Sequence, residues 1–212
     1  MSRYVVLDME MCRIPRLFRG QPLPLKQEVI QIGAVLVDEN MAVRDSFITY
    51  VKPEKGVIDK TINRLTGISQ KDLTGAPDIR TAFYAMLDWM PEDAVIVSWS
   101  ESDLAQLQNE FSVKGIEIPR FDRYSESWID CQKTFSEKMH TEKVYRLSEA
   151  LSITDIYYED GAHDALVDAK NTAQLFIKMS TEKELKLSKY YSCVNTYFAE
   201  GSAGLLGNYA YA

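Results

Sequence analysis

Tyr4-Val5-Val6-Leu7-Asp8-Met9-Glu10 is the stretch on which the fold turns. An aromatic and three aliphatic residues in a row read as a strand buried on both faces, and two carboxylates follow at once. Residues two apart on a strand point to the same side, so Asp8 and Glu10 project together from the end of a central strand. A buried carboxylate is costly unless it is paired or binds a metal, and two side by side also repel each other. The pair by itself leaves two readings open. Either the strand has already ended and both side chains are solvated, or they hold a divalent cation, for which hard oxygen ligands favour Mg²⁺ or Mn²⁺ over zinc.

Outward from that strand, Val29–Val37 reads as a second strand ending at the turn-forming Asp38-Glu39-Asn40. A third runs from Arg44 to Val51, and so short a connection predicts an antiparallel pair. Helical patterns cover 59–65 and 78–89, the second with Ile79, Phe83, Met86 and Leu87 on one face. Ala94–Val97 is a fourth strand, followed by a helix over 102–111, and Trp128–Asp130 is a short fifth strand. A short helix over 147–151 precedes a longer one over 165–179, whose stripe contains Ala165, Ala169, Thr172, Ala173 and Phe176. A charged helix over 181–189 then leads into an aromatic end with Tyr190, Tyr191, Tyr197 and Phe198. This order predicts an α/β domain over 1–180 with a five-stranded mixed sheet flanked by α-helices. Residues 181–212 form its C-terminal helix and a loose tail.

The 212 residues suit one domain. With 46% hydrophobic and 26% charged residues, wholesale disorder and collagen-like or coiled-coil architectures are excluded. No apolar stretch reaches the ~18–20 residues that cross a bilayer, and the N-terminus lacks the pattern of a signal peptide. The expectation is a cytoplasmic protein with no membrane partner. Cys12, Cys131 and Cys193 are widely spaced and read as free, partly buried thiols rather than a disulfide framework or zinc site. Lysine and arginine number 24 against 31 aspartates and glutamates, a net charge of −7. That argues against coating nucleic acid through bulk electrostatics, though not against engaging a few nucleotides at one site.

Two further places carry candidate chemistry. Asp103 follows the fourth strand at a helix start, where the helix dipole alone would favour an aspartate. In Gly161-Ala162-His163-Asp164-Ala165-Leu166-Val167-Asp168, the histidine and the last aspartate are five apart. On one helix they would sit about 140° apart, so His163 can join Asp168 only from a position at or before the helix start. Asp164 is then the better cap. His140, in a polar stretch, reads as a surface residue.

Taken together, these residues resemble the DEDDh, or DnaQ-like, family of 3′→5′ exonucleases. Asp8-Met9-Glu10, the aspartate of Trp99–Asp103, and His163 to Asp168 followed by Asn171-Thr172-Ala173 look like its three motifs. Gln31-Ile32-Gly33-Ala34 and Leu65-Thr66-Gly67-Ile68 also match it in order and spacing. The resemblance runs from about Arg3 to Met179 and implies a ribonuclease H-like fold. It implies that Asp8, Glu10, Asp103 and Asp168 hold two divalent metal ions, Mg²⁺ or Mn²⁺, and that His163 is the general base. Such a pair of cations can activate water and stabilise the leaving oxygen in phosphodiester hydrolysis, and an imidazole can take up the water's proton near neutral pH.

By the same resemblance Met11, Leu65, Thr66 and Ile68 touch the terminal nucleotide, although Met11 stands where most relatives have threonine. Trp99, near Asp103, resembles the RNA-processing branch that includes KapD-like and histone-mRNA-degrading enzymes; the same indole could equally close the core beneath the site. Residues 11–27 contain Arg13, Arg16, Arg19 and Lys26 and no acid before Gln27, so the segment either guides a phosphate backbone or is a solvated insertion. The implied activity is removal of nucleoside 5′-monophosphates from the 3′ end of single-stranded nucleic acid, RNA or short oligonucleotides ahead of DNA. Two alternatives stand beside it. One is a DNA-editing exonuclease partnered with a polymerase, for which the segment Tyr190–Phe198 offers a protein or homodimer contact. The other is a non-catalytic regulatory protein on the same fold, which would be expected to have lost an acid that this chain keeps.

Overall fold

The computed structural model describes residues 2–18, 25–158, 161 and 163–191. Its sheet consists of β1 (Tyr4–Arg13), β2 (Gln27–Val37), β3 (Val43–Tyr50), β4 (Val95–Ser98) and β5 (Ile129–Asp130) in the order β3-β2-β1-β4-β5. The β1–β2 and β2–β3 pairs are antiparallel, while β1–β4 and β4–β5 are parallel. The helices are α1 (Lys60–Thr66), α2 (Ile79–Trp89), α3 (Ser102–Lys114), α4 (Pro119–Glu126), α5 (Cys131–Lys138), α6 (Leu147–Ile153) and α7 (Ala165–Thr181).

β1 is central and covered on both faces, which is why its sequence is a nearly continuous apolar run. Val5, Leu7 and Met9 face a core in which Phe83, Phe111 and Phe121 meet edge to face at 5.1–5.5 Å between centroids. Val6 faces the other core with Val35, Val97, Ala169, Ala173 and Phe176. The small residues Ala165, Ala169 and Ala173 form the buried stripe of α7 and let the helix lie close on the sheet. Gly33 completes that approach, because a Cβ there would lie 2.2 Å from the Leu166 backbone nitrogen. Thus two motifs 133 residues apart in sequence meet as one packed junction.

β1 extends well past Leu7, so Asp8 and Glu10 lie inside the strand rather than beyond its end. Its register shifts between Glu10, opposite Gln31, and Met11, opposite Val29. The extra residue is Ile30 on β2, and β1 keeps its alternation: Met11 still packs on the core of Met9, while Cys12, on the side of Asp8 and Glu10, is buried with Ile30, Ile62, Ile68 and Leu73 under α1. The long connection also shrinks: residues 11–13 belong to β1, and Arg16–Phe18 form a 3₁₀ turn. Among the described residues no helix is long and apolar enough to cross a membrane.

Two helices escape a periodicity reading. α4 buries only Phe121 and Tyr124, and α5 only Cys131 and Phe135, so neither carries a continuous apolar stripe. Their starts were nonetheless written in the sequence, as Pro119 in the first turn of α4 and as Asp130, which accepts a hydrogen bond from Lys133 N at the start of α5. The expected charged helix over 181–189 is a correction. After α7 the chain is irregular to Ser188, and helical geometry resumes only at Lys189–Tyr191. Leu185 and Leu187, two apart, both pack against the α7 core, and Ser188 N donates to Ile153 O at 2.7 Å. Tertiary contacts at extended spacing outweigh the local helical preference of a short charged segment. Cys193, Tyr197, Phe198 and the tail lie outside the described residues.

Candidate active site

Asp8 and Glu10 point from β1 toward the start of α7, opposite Gly33 and Gln31 of β2. Asp103, in the first turn of α3, is 5% exposed and has its carboxylate steadied by the Met9 backbone N–H. Asp168, in the first turn of α7, completes the group. Burial, followed by repulsion from Asp103, Asp168 and Glu10, raises the Asp8 carboxyl well above the usual carboxylate range. Burial and then the neighbouring Asp168 and Asp103 push Glu10 up to about 8, and burial pushes Asp103 up to about 7. Among the described residues no lysine or arginine offsets the charge of these three, so the cluster carries uncompensated acidity.

His163 precedes the helix, as its spacing required. Asp164 is the N-cap of α7, its side chain accepting from Leu166 N and Val167 N. His163 itself sits at φ +67°, a conformation disfavoured for a non-glycine residue. Its backbone N–H donates to Asp168 Oδ2 at 3.0 Å, which holds the strained turn and aims the carboxylate together. Ligand atoms of Glu10, His163 and Asp168 all lie within 4.8 Å of one another. This donor set, oxygen-rich and short of positive charge, fits a divalent cation of the Mg²⁺ or Mn²⁺ kind.

Two residues to which the motif reading gave no role hold this arrangement. The buried Gln31 amide donates to Asp164 Oδ2 at 3.1 Å and accepts from Ala165 N at 3.0 Å, fastening the start of α7 to β2. The Tyr158 hydroxyl donates to Asp168 Oδ1 at 2.6 Å, so both oxygens of that carboxylate are fixed. Burial and the Asp168 carboxylate raise the phenol pKa, keeping the hydroxyl a donor. Asp8, Trp99, Gln132, Tyr158, His163 and Asp168 line one open cleft of about 770 Å³.

A family model described as RNase_T, exonuclease, matches residues 5–176. The chain belongs to the RNase_T exonuclease family. Among RNase_T relatives, the 3′-5′ exonuclease Snipper of Drosophila melanogaster is 27% identical over 174 residues, covering 72% of this chain and 60% of Snipper. ERI1 exoribonuclease 2 of Danio rerio is 29% identical over 177 residues, covering 72% of this chain and 31% of that protein. The chain therefore spans less than two thirds of these relatives. In fold it is similar to the nuclease domain of 3′hExo, a DEDDh family member solved bound to rAMP. That match has a TM-score of 0.73 and 19% identity and covers 89% of this chain and 96% of that one. The ribonuclease H-like five-stranded sheet expected from the motifs is the fold observed.

The residues assigned to substrate are spread more widely than the acids. Met11 packs partly against the α2–α3 core, and Ile68 is 3% exposed beneath α1. Thr66 Oγ1 donates to Ile62 O and accepts from Ile68 N, shaping the turn after α1, and Leu65 is exposed on it. Trp99 lines the cleft while packing against the α7 core, its ring 6.4 Å from Phe135. Arg13 and Arg16 are exposed, and Arg19 lies outside the described residues. His140 is exposed, and Cys12 and Cys131 are buried free thiols. Tyr190 is exposed and Tyr191 packs partly on the α7 core.

Proposed function

We propose that the protein is a metal-dependent 3′→5′ exonuclease acting on single-stranded nucleic acid, RNA ahead of DNA, and releasing nucleoside 5′-monophosphates. The observation that carries the reading is the convergence of Asp8, Glu10, Asp103 and Asp168 with His163 in a family of exonucleases. The four carboxylates would hold two divalent cations. Bound there, such ions supply Lewis acidity toward a phosphodiester and a water nucleophile. Asp168, fixed by Tyr158 and by the His163 backbone, presents its remaining lone pairs in a set direction. His163, on an exposed turn, is free to accept the water's proton at its imidazole and pass it to solvent. The preference for RNA rests on relatives named as exoribonucleases.

The test is incubation with 5′-labelled single-stranded RNA and DNA of equal sequence in Mg²⁺, Mn²⁺ or EDTA, beside Asp8→Ala. A ladder shortening from the 3′ end, abolished by EDTA and by the substitution, is the expected result. Folded protein that degrades neither strand in either metal would refute the proposal.

A further inference from the structure

An enzyme that cuts the last phosphodiester of a strand has to seat the terminal nucleotide on one flank of its acids and the rest of the strand on the other. The sheet order gives the two flanks. On the β2–β3 side lies the turn 65–68, whose Ile68 packs on Ile30 of β2. On the β4–β5 side, the cleft that begins at Asp8 and Asp168 continues past Trp99 and Gln132 to a wall formed by Val144–Ser148.

That wall combines rigidity with an unusual display. The chain between α5 and α6 is irregular, yet Tyr145 is 3% exposed and meets Phe135 edge to face at 5.0 Å. Gln132 Nε2 donates to Tyr145 O at 2.6 Å, and Ser136 Oγ donates to Lys143 O at 2.7 Å. Held this way, the segment still leaves Val144 73% exposed beside the cleft. Arg146 is exposed on the same wall, and its guanidinium makes no ion pair among the described residues. Lys143, by contrast, is paired with Glu149 and sits over the Tyr145 ring. Arg146 occupies the N-cap position of α6 but its side chain forms no capping bond, so local helix stability does not account for it. The cleft thus presents acids at one end, aromatic and apolar faces along it, and an unneutralised guanidinium at its lip. Spaced phosphates and bases match that sequence of chemistry.

We propose that the Val144–Ser148 wall is the subsite for the strand on the 5′ side of the scissile bond, with Arg146 pairing a backbone phosphate there. The proposal rests on the exonuclease reading above and adds the direction in which the substrate leaves the acids.

The experiment compares a single-stranded 12-mer with a dinucleoside monophosphate of the same sugar, which has the scissile bond but no upstream phosphate. For Arg146→Ala, KM for the 12-mer is expected to rise about tenfold with kcat within twofold, and the salt dependence to become shallower by about one phosphate contact. Arg146→Lys should recover most of the affinity. The dinucleotide should lose less than twofold. An unchanged 12-mer KM overturns the subsite, and so does an equal loss on both substrates, which would place Arg146 at the terminal nucleotide or in the stability of α6. Wild-type protein that cleaves neither substrate would overturn the exonuclease reading, and the subsite with it.

Discussion

Helix α3 carries a cluster of buried carboxylates at each end, and the two are built on opposite principles. At its first turn Asp103 joins Asp8, Glu10 and Asp168, a group with no cation of its own among the described residues. About 10 Å further along the helix, Glu110 lies against Glu28, and here Lys114 reaches between them at 2.9 and 2.6 Å. Glu28 also accepts backbone N–H bonds from Glu54, Lys55 and Gly56, and Glu110 accepts from Val29 N at 3.1 Å. The second cluster is closed by the protein's own donors and fastens β2, α3 and the segment 54–56 together. The first has hydrogen-bond donors at Asp168 and Asp103 but no neutralising lysine or arginine among the described residues. Burial of acid therefore does not separate the two clusters; a cation seated between the carboxylates does.

The sharpest way to break this comparison is to neutralise one member of each cluster. Asp168→Asn should reduce kcat at least a thousandfold, about 4 kcal/mol of transition-state stabilisation, while leaving the metal-free fold intact. A single-turnover assay beside a thermal melt checks both halves. Lys114→Met should do the reverse, costing about 3–5 kcal/mol of stability because two buried carboxylates lose their partner. Equilibrium denaturation would measure it, and an unchanged midpoint would remove Lys114 as the closing element.

Two smaller effects sharpen the account of the open cluster. Tyr158→Phe keeps the ring in the cleft but drops the hydrogen bond to Asp168, so the affinity for Mn²⁺ should fall about tenfold. Calorimetric titration reads that loss without relying on turnover, and KM for an oligonucleotide should barely move.

The smallest effect is in stability against pH, where Glu28 of the second cluster runs opposite to the acids of the first, while burial raises its neighbour Glu110 as it raises them. In metal-free protein Asp8, Glu10 and Asp103 bind protons more tightly folded than unfolded. Stability from these groups is therefore full below the ordinary carboxylate range and declines as pH rises from about 4 to about 8. Glu28, whose pKa is lowered mainly by its bonds to Lys114 and Lys55 N against the burial that raises it, works oppositely, and its contribution is lost as pH falls through the carboxylate range. Metal-free protein should melt a few degrees lower at pH 8 than at pH 6, and Mg²⁺ should cancel the difference. An alkaline loss that persists in saturating Mg²⁺ would place its source elsewhere.

Local rules were enough for much of the site. Strand periodicity put Asp8 and Glu10 on one side, the 100° step of a helix required His163 to stand before α7, and Asp164 showed itself as the cap. Gln31 and Tyr158 were not readable as supports, because each acts through a partner brought near only by folding. Gln31 meets Asp164 across 133 positions of sequence, and no periodicity links Tyr158 to Asp168. Helices α4 and α5 are not readable for a related reason: their apolar residues are too few to form a pattern until the rest of the core surrounds them. The bulge after Glu10 is a property of how β1 pairs with β2, which no local pattern carries.

By itself, the sequence determined the five strands, the helices α1, α2, α3, α6 and α7, and the family motifs with their candidate acids and histidine, since these depend on neighbours within one or two turns. Only the tertiary structure decided which buried acids are neutralised and which are not. That distinction depends on where Lys114 ends up, on the backbone donors that happen to face each carboxylate, and on Gly33 letting α7 settle against the sheet. Charge compensation at these distances is a property of three-dimensional packing, and the same residues in another arrangement would be ordinary surface acids.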